Sequence, residues 1–161
     1  MSILSFAALF FHVIAAVSWI GGMVFLSIAL GPLLRNRQAS AEVVGFFRAA
    51  ARRFRMVVWM SIAVLLGSGP MLLHARGLSI IDPGAWPTIL TIKLTLVFVL
   101  LVFTVLHDLV LGPEIRQAAM IPIGERTAWQ QLVIYSASWI PRLALLLSLV
   151  VLATAVALAR S

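Results

Sequence analysis

Cysteine is absent from the chain. Its absence excludes disulfides, thiolate metal sites, iron–sulfur clusters and c-type haem attachment. Charge is also scarce, at 11% of 161 residues, while 63% are hydrophobic. That balance excludes a soluble domain of this size and leaves an integral membrane protein. No Ser-His-Asp arrangement, phosphate-binding glycine loop, HExxH motif or paired-carboxylate site is present, so hydrolysis and phosphoryl transfer have no residues to work with and no catalytic residue is assigned. The net charge of +7 would suggest nucleic acid in a soluble protein. Here six arginines gather between positions 35 and 55, beside apolar spans, so the charge reads as a topology signal and nucleic acid is not an expected partner. The N-terminus has no basic n-region and its apolar run is long, which predicts a retained span and not a cleaved signal peptide.

Four apolar segments are long enough to cross roughly 30 Å of hydrocarbon. They lie at about 3–34, 56–74, 88–111 and 140–159 of a single transmembrane domain covering 1–161. Between the first two, Ala41–Arg55 is amphipathic: Val43, Phe47, Ala50 and Phe54 recur at helical spacing, away from Glu42, Arg48 and Arg52. This segment is expected at the membrane surface, running into the second span. The arginines place it in the cytoplasm, where it would meet anionic lipids. Both termini are then outside, with 35–55 and 112–139 inside. Gly67-Ser68-Gly69-Pro70 interrupts the second span, which is expected to continue, kinked, to His74. Asp82-Pro83-Gly84 marks an outer turn, and Trp86 suits the outer interface. Trp129 and Trp139 suit the inner one. The fourth span is expected to open with Pro141-Arg142, since proline in a first helical turn is tolerated.

The third span repeats the first at an offset of 81. Leu30-Gly31-Pro32-Leu33-Leu34-Arg35 matches Leu111-Gly112-Pro113-Glu114-Ile115-Arg116 at four of six positions, and Arg55 is mirrored by Arg142. Two tandem two-helix hairpins would keep the same orientation, related by a pseudo-two-fold axis along the membrane normal. The predicted fold is therefore all-α: an integral membrane four-helix bundle.

Ionisable groups inside such spans point to function. His12 and Trp19 lie seven residues apart on one helix face, with Gly21-Gly22 allowing close helix approach. The 81-residue offset sets Lys93 opposite His12 at equal depth. Imidazole suits both copper and haem iron, so His12 is the first candidate ligand; Lys93 either contacts an anionic group or snorkels to the interface. Met71 and His74, a thioether and an imidazole three residues apart, suit Cu(I) and would complete an outer site with His12. His107-Asp108 lies about 40° from Lys93 and roughly 21 Å deeper. This pair reads either as a proton or metal site or, through Asp108 and Arg142, as a structural ion pair.

His12-x6-Trp19-x-Gly21-Gly22, Arg52-Arg53-Phe54, Lys93 and Leu106-His107-Asp108 before Gly112-Pro113 resemble the copper resistance D (CopD) family of bacterial inner-membrane proteins over nearly the whole chain. The resemblance implies copper uptake or tolerance. His12 and Lys93 are also similar to a histidine and a lysine of HemJ, a four-span protoporphyrinogen oxidase that binds haem b. The chain departs from HemJ at Leu30-Gly31-Pro32, where that family has further histidine and arginine. Three readings result: copper binding or transport, a haem b redox protein with the cofactor held between helices by His12 and either His74 or Lys93 nearby, and a non-catalytic subunit. In the last, the Gly21-Gly22 face packs on a larger membrane complex or a second copy.

Overall fold

A backbone in hydrocarbon must close its own hydrogen bonds, and this chain does so with helices throughout. The computed structural model describes residues 2–30, 32 and 40–160. Gly31, Leu33, Leu34, Arg35 and Arg37 lie outside the described residues, as does part of the repeat motif. Helix α1 is Ile3–Val24, continued by a π-helical turn at Phe25–Leu30. Helix α2 is Ala41–Ala75. Helix α3 is Thr88–Val105, continued by a π turn at Leu106–Leu111 and then by α4, Gly112–Ala119. Helix α5 is Ala128–Arg160. Four helical stretches, Ile3–Leu30, Ala41–Ala75, Thr88–Ala119 and Ala128–Arg160, are long and apolar enough to span a membrane. Their outward surfaces carry large apolar side chains, among them Phe6, Phe10, Met60, Phe98 and Leu146, as a lipid surround requires.

The second and fourth membrane-length helices begin upstream of the expected spans because their starts are set by capping, which hydropathy does not register. Ser40 caps α2 by accepting from the Val43 N–H, with Glu42 in the first turn. The amphipathic 41–55 segment is thus continuous with the second span. At α5, Thr127 and Gln130 form a reciprocal capping box, the Gln130 N–H donating to Thr127 Oγ1 at 3.3 Å and the Thr127 N–H to Gln130 Oε1 at 2.9 Å. The helix therefore starts at Ala128, and Pro141 stands inside it, which corrects the expectation of proline in the first turn. Pro70 also lies inside its helix, which continues through it as expected. It ends just past His74 in a Schellman motif: Gly77, at φ 73°, donates to the His74 carbonyl and Leu78 to that of Leu73.

The chain divides into two compact units, Met1–Trp86 and Pro87–Ser161. In the first, α1 packs on α2. Its seam on α1 is Ala8, His12, Ala15, Trp19 and Gly22, alternating steps of four and three. Ala8, Ala15 and Trp19 are buried, as are Val58, Ser61, Ile62, Ser68 and Leu73 on α2. His12 faces Ser68, and Gly22 faces Phe54, so the helices are antiparallel.

In the second unit α3 and α4 pack on α5. Four of its buried residues match in an antiparallel register, Leu90 with Leu158 and Leu100 with Ser148 each totalling 248, while Ala118 with Val133 totals 251. The repeat therefore extends beyond the Leu-Gly-Pro motif. The π turns at Phe25–Leu30 and Leu106–Leu111 are separated by the same 81 residues. Buried Trp19 corresponds to buried Leu100 at that offset, and buried Ser61 to buried Ser148 at 87, the spacing of Arg55 and Arg142. Each π turn is followed two residues later by a proline, Pro32 or Pro113. Proline has no N–H for the carbonyl four residues back. In the second unit the Gly112 N–H instead reaches the carbonyl of His107, five residues back.

Only Gly22 of the glycine pair is a packing residue. A Cβ at Gly22 would overlap the Phe54 ring, whereas Gly21 has nothing within 4 Å. Gly22→Leu is expected to destabilise the first unit by roughly 1–3 kcal/mol through overpacking, and Gly21→Ala to leave it unchanged. Thermal unfolding of the detergent-purified protein, read by circular dichroism, tests the contrast.

Candidate functional site

A histidine on an α-helical seam needs a hydrogen-bond partner at its own level on the opposing helix. In the first unit that partner is Ser68. His12 Nδ1 lies 2.8 Å from Ser68 Oγ, and the hydroxyl donates its own proton to the Val64 carbonyl at 2.6 Å. The order of protons follows. With the Ser68 proton committed to Val64, its oxygen accepts from His12, so Nδ1 carries the hydrogen. In the neutral ring the lone pair is then on Nε2. Ser68 is buried and His12 half-buried. Metal-bound histidines are commonly held this way, one ring nitrogen donating to an oxygen while the other ligates.

Sequence reasoning singled out His12 but not Ser68. A signal was present in Gly67-Ser68-Gly69-Pro70, a small polar side chain near one end of a span. Its assignment to His12 needed the antiparallel register. Phe54 was also missed as the ring that fills the space over Gly22. With Gly22 covered from within its own hairpin, the expected Gly21-Gly22 docking face reduces to the exposed Gly21.

Trp19, expected on the His12 face, is on the same seam and buried at 5% exposure. It is a core residue of the hairpin. Met71 and His74 are exposed and line one recess of about 420 Å³ together with Ser2, Leu4, Ser5, Pro70 and Ala75. His12 does not line it. By helix geometry, His74 stands about 120° around α2 from Ser68 and about 9 Å further along its axis. The expected three-donor set is thus distributed over two places. Among the described residues, no three imidazole or carboxylate side chains gather in one cluster.

Lys93, His107, Asp108 and Arg142 belong to the second unit. Lys93 is half-buried on α3, at the position equivalent to His12. The residue equivalent to Ser68 at the 87 offset is Ala155, so the imidazole–hydroxyl pair has no copy there. His107 and Asp108 occupy the π turn, both half-buried. The 248 register sets Asp108 level with Ile140, within a helical turn of Arg142. The Arg142 guanidinium lies over the Trp139 ring, 5.1 Å from its centroid, a cation–π contact. Arg48, Arg52, Arg53 and Arg55 are all exposed on the first half of α2.

Against known proteins, the chain is 32% identical over 107 residues to an uncharacterized protein of Aquifex aeolicus (strain VF5). The match covers 66% of this chain and 69% of the relative. No family model matches the chain. No solved structure matches it.

Ser68→Ala removes the hydroxyl that accepts from His12 and is expected to destabilise the hairpin by about 1 kcal/mol. The sharper readout is the tautomer: the ¹⁵N shifts of His12 should report Nδ1–H in the native protein and a mixture in the variant, with Ser68→Thr restoring the native pattern.

Proposed function

We propose, for a chain that belongs to the same family as the Aquifex aeolicus protein, a role in copper handling at a bacterial inner membrane, of copper resistance D type. Copper is the cargo, and His12 Nε2 is its ligand within the first hairpin. One observation carries this reading: the His12–Ser68–Val64 chain fixes the tautomer and the plane of an imidazole in a membrane-length helix. An intramembrane ionisable residue is functional by default, and this ring is held as metal-bound histidines commonly are. The proposed activity is binding and passage, without covalent chemistry.

The orientation follows from the arginines. Arg48, Arg52, Arg53 and Arg55 hold the start of α2 in the cytoplasm, against anionic lipid headgroups. Ser2, His74 and the C-terminus then lie on the outer side, where copper arrives. Lys93 holds the His12-equivalent position of the second unit, where an ammonium suits an anionic group. At the inner end of the second unit an ion pair between Asp108 and Arg142 would offset the cost of two charges near the hydrocarbon. Haem b is the competing occupant of the same His12 imidazole, since an axial histidine is held by the same kind of second hydrogen bond.

His12→Ala is expected to abolish copper retention by the purified, folded protein and to alter copper tolerance in cells that depend on it. Ser68→Ala should weaken copper binding by roughly 10–100-fold, as loss of an outer-shell partner typically does. Metal analysis and growth on copper check both, and unchanged tolerance in cells carrying His12→Ala would overturn the transport reading. An absorption spectrum with and without dithionite separates the two occupants: a Soret band near one haem per chain, lost in His12→Ala, would replace copper with haem b.

A further inference from the structure

We infer that Met71 and His74 form a second soft-metal site, separate from His12, that loads Cu(I) before it reaches the seam. Metal cargo is taken over from the reading above; the existence and position of this site are new. Met71 and His74 are one turn apart on α2 and neighbours on its surface. Both line the recess where the start of α1 meets the end of α2. The recess holds about 420 Å³, ample for an ion with some of its water. His74 also lines a second recess, with Pro70, Gly77, Leu78, Ser79 and Ile80.

The donor set selects the ion. A thioether and an imidazole are soft and borderline ligands, matched to Cu(I). The other polar side chains of the Met71 recess are the hydroxyls of Ser2 and Ser5, 2.8 Å apart, with Ser2 Oγ also accepting from the Ser5 N–H. Among the described residues no carboxylate lines either recess, which disfavours Mg²⁺ and Ca²⁺. The second unit is an internal contrast, because the 87 offset puts Leu158 at the position of Met71 and Ser161 at that of His74. Soft donors stand at this end in the hairpin that carries His12 and are missing from its repeat.

Position gives the order of binding. Met71 is one turn from Ser68 along α2 and His74 about two. Cargo entering at the Ser2 end therefore meets the exposed pair before the half-buried imidazole. Neither substitution needed for the test touches the core, since Met71 is 41% exposed and His74 is exposed.

Silver(I), a redox-stable substitute for Cu(I), is the probe. The full-length protein in detergent should bind about two silver ions, falling to one in Met71→Leu/His74→Ala, to one in His12→Ala, and to none in the combined variant. In protein carrying ¹³C-methyl methionine, silver should shift the Met71 resonance in the native protein and in His12→Ala alike. An unchanged count in Met71→Leu/His74→Ala, or a Met71 methyl indifferent to silver, overturns the second site. Failure of the His12 reading looks different: His12→Ala keeps the native count while the Met71/His74 pair still accounts for one ion.

Discussion

Lipid offers no partner to a peptide group, and that single constraint accounts for most of what the chain does. Every span is helical because only a helix closes its own hydrogen bonds within one segment. Where the sequence interrupts the pattern, the backbone makes a local repair. Gly112-Pro113 follows a π turn in which the hydrogen bond reaches back five residues. Hydroxyls within the spans turn inward to the backbone as well: Thr95, Thr104, Ser136, Ser148 and Thr154 each donate to a carbonyl three or four residues earlier. Ser68 obeys the same rule with Val64. The difference is that its oxygen is then left to accept from a side chain on another helix. The candidate site is this general repair put to a specific use.

Packing between the paired helices follows from the same surround. Lipid tails are as apolar as leucine, so helix association relies on close fit, which small residues supply. Ala8, Ala15 and Gly22 recur every seven residues on α1, and Ser61 and Ser68 are seven apart on α2. Between the small positions of α1 sit His12 and Trp19, one fastened to Ser68 and the other buried in the hairpin core. The seam that holds the hairpin together and the seam that orients His12 are one feature.

Much of this was legible in the sequence. Hydropathy gives four spans because lipid exposure is a property of composition, and the hairpin order follows from short connections. His12 and Trp19 share a face because helical period fixes it. The limits are also physical. Helix ends outside the hydrocarbon depend on single caps, so Thr127-Gln130 moved the start of the last helix upstream of Pro141. Partners across a seam depend on register, which no local pattern encodes, and so Ser68 and Phe54 were missed. Treating His12, Met71 and His74 as one site used depth alone; the angle around α2 separates them.

The 81-residue spacing of the two π turns bears on how such a molecule can diversify. Two identical hairpins associating as separate chains would be bound to carry the same residue at every equivalent place. Joined in one polypeptide they are released from that identity. One copy can hold an imidazole at position 12 and a hydroxyl at 68, while the other holds an ammonium at 93 and a methyl at 155. Covalent linkage, in this chain, is what makes asymmetry heritable.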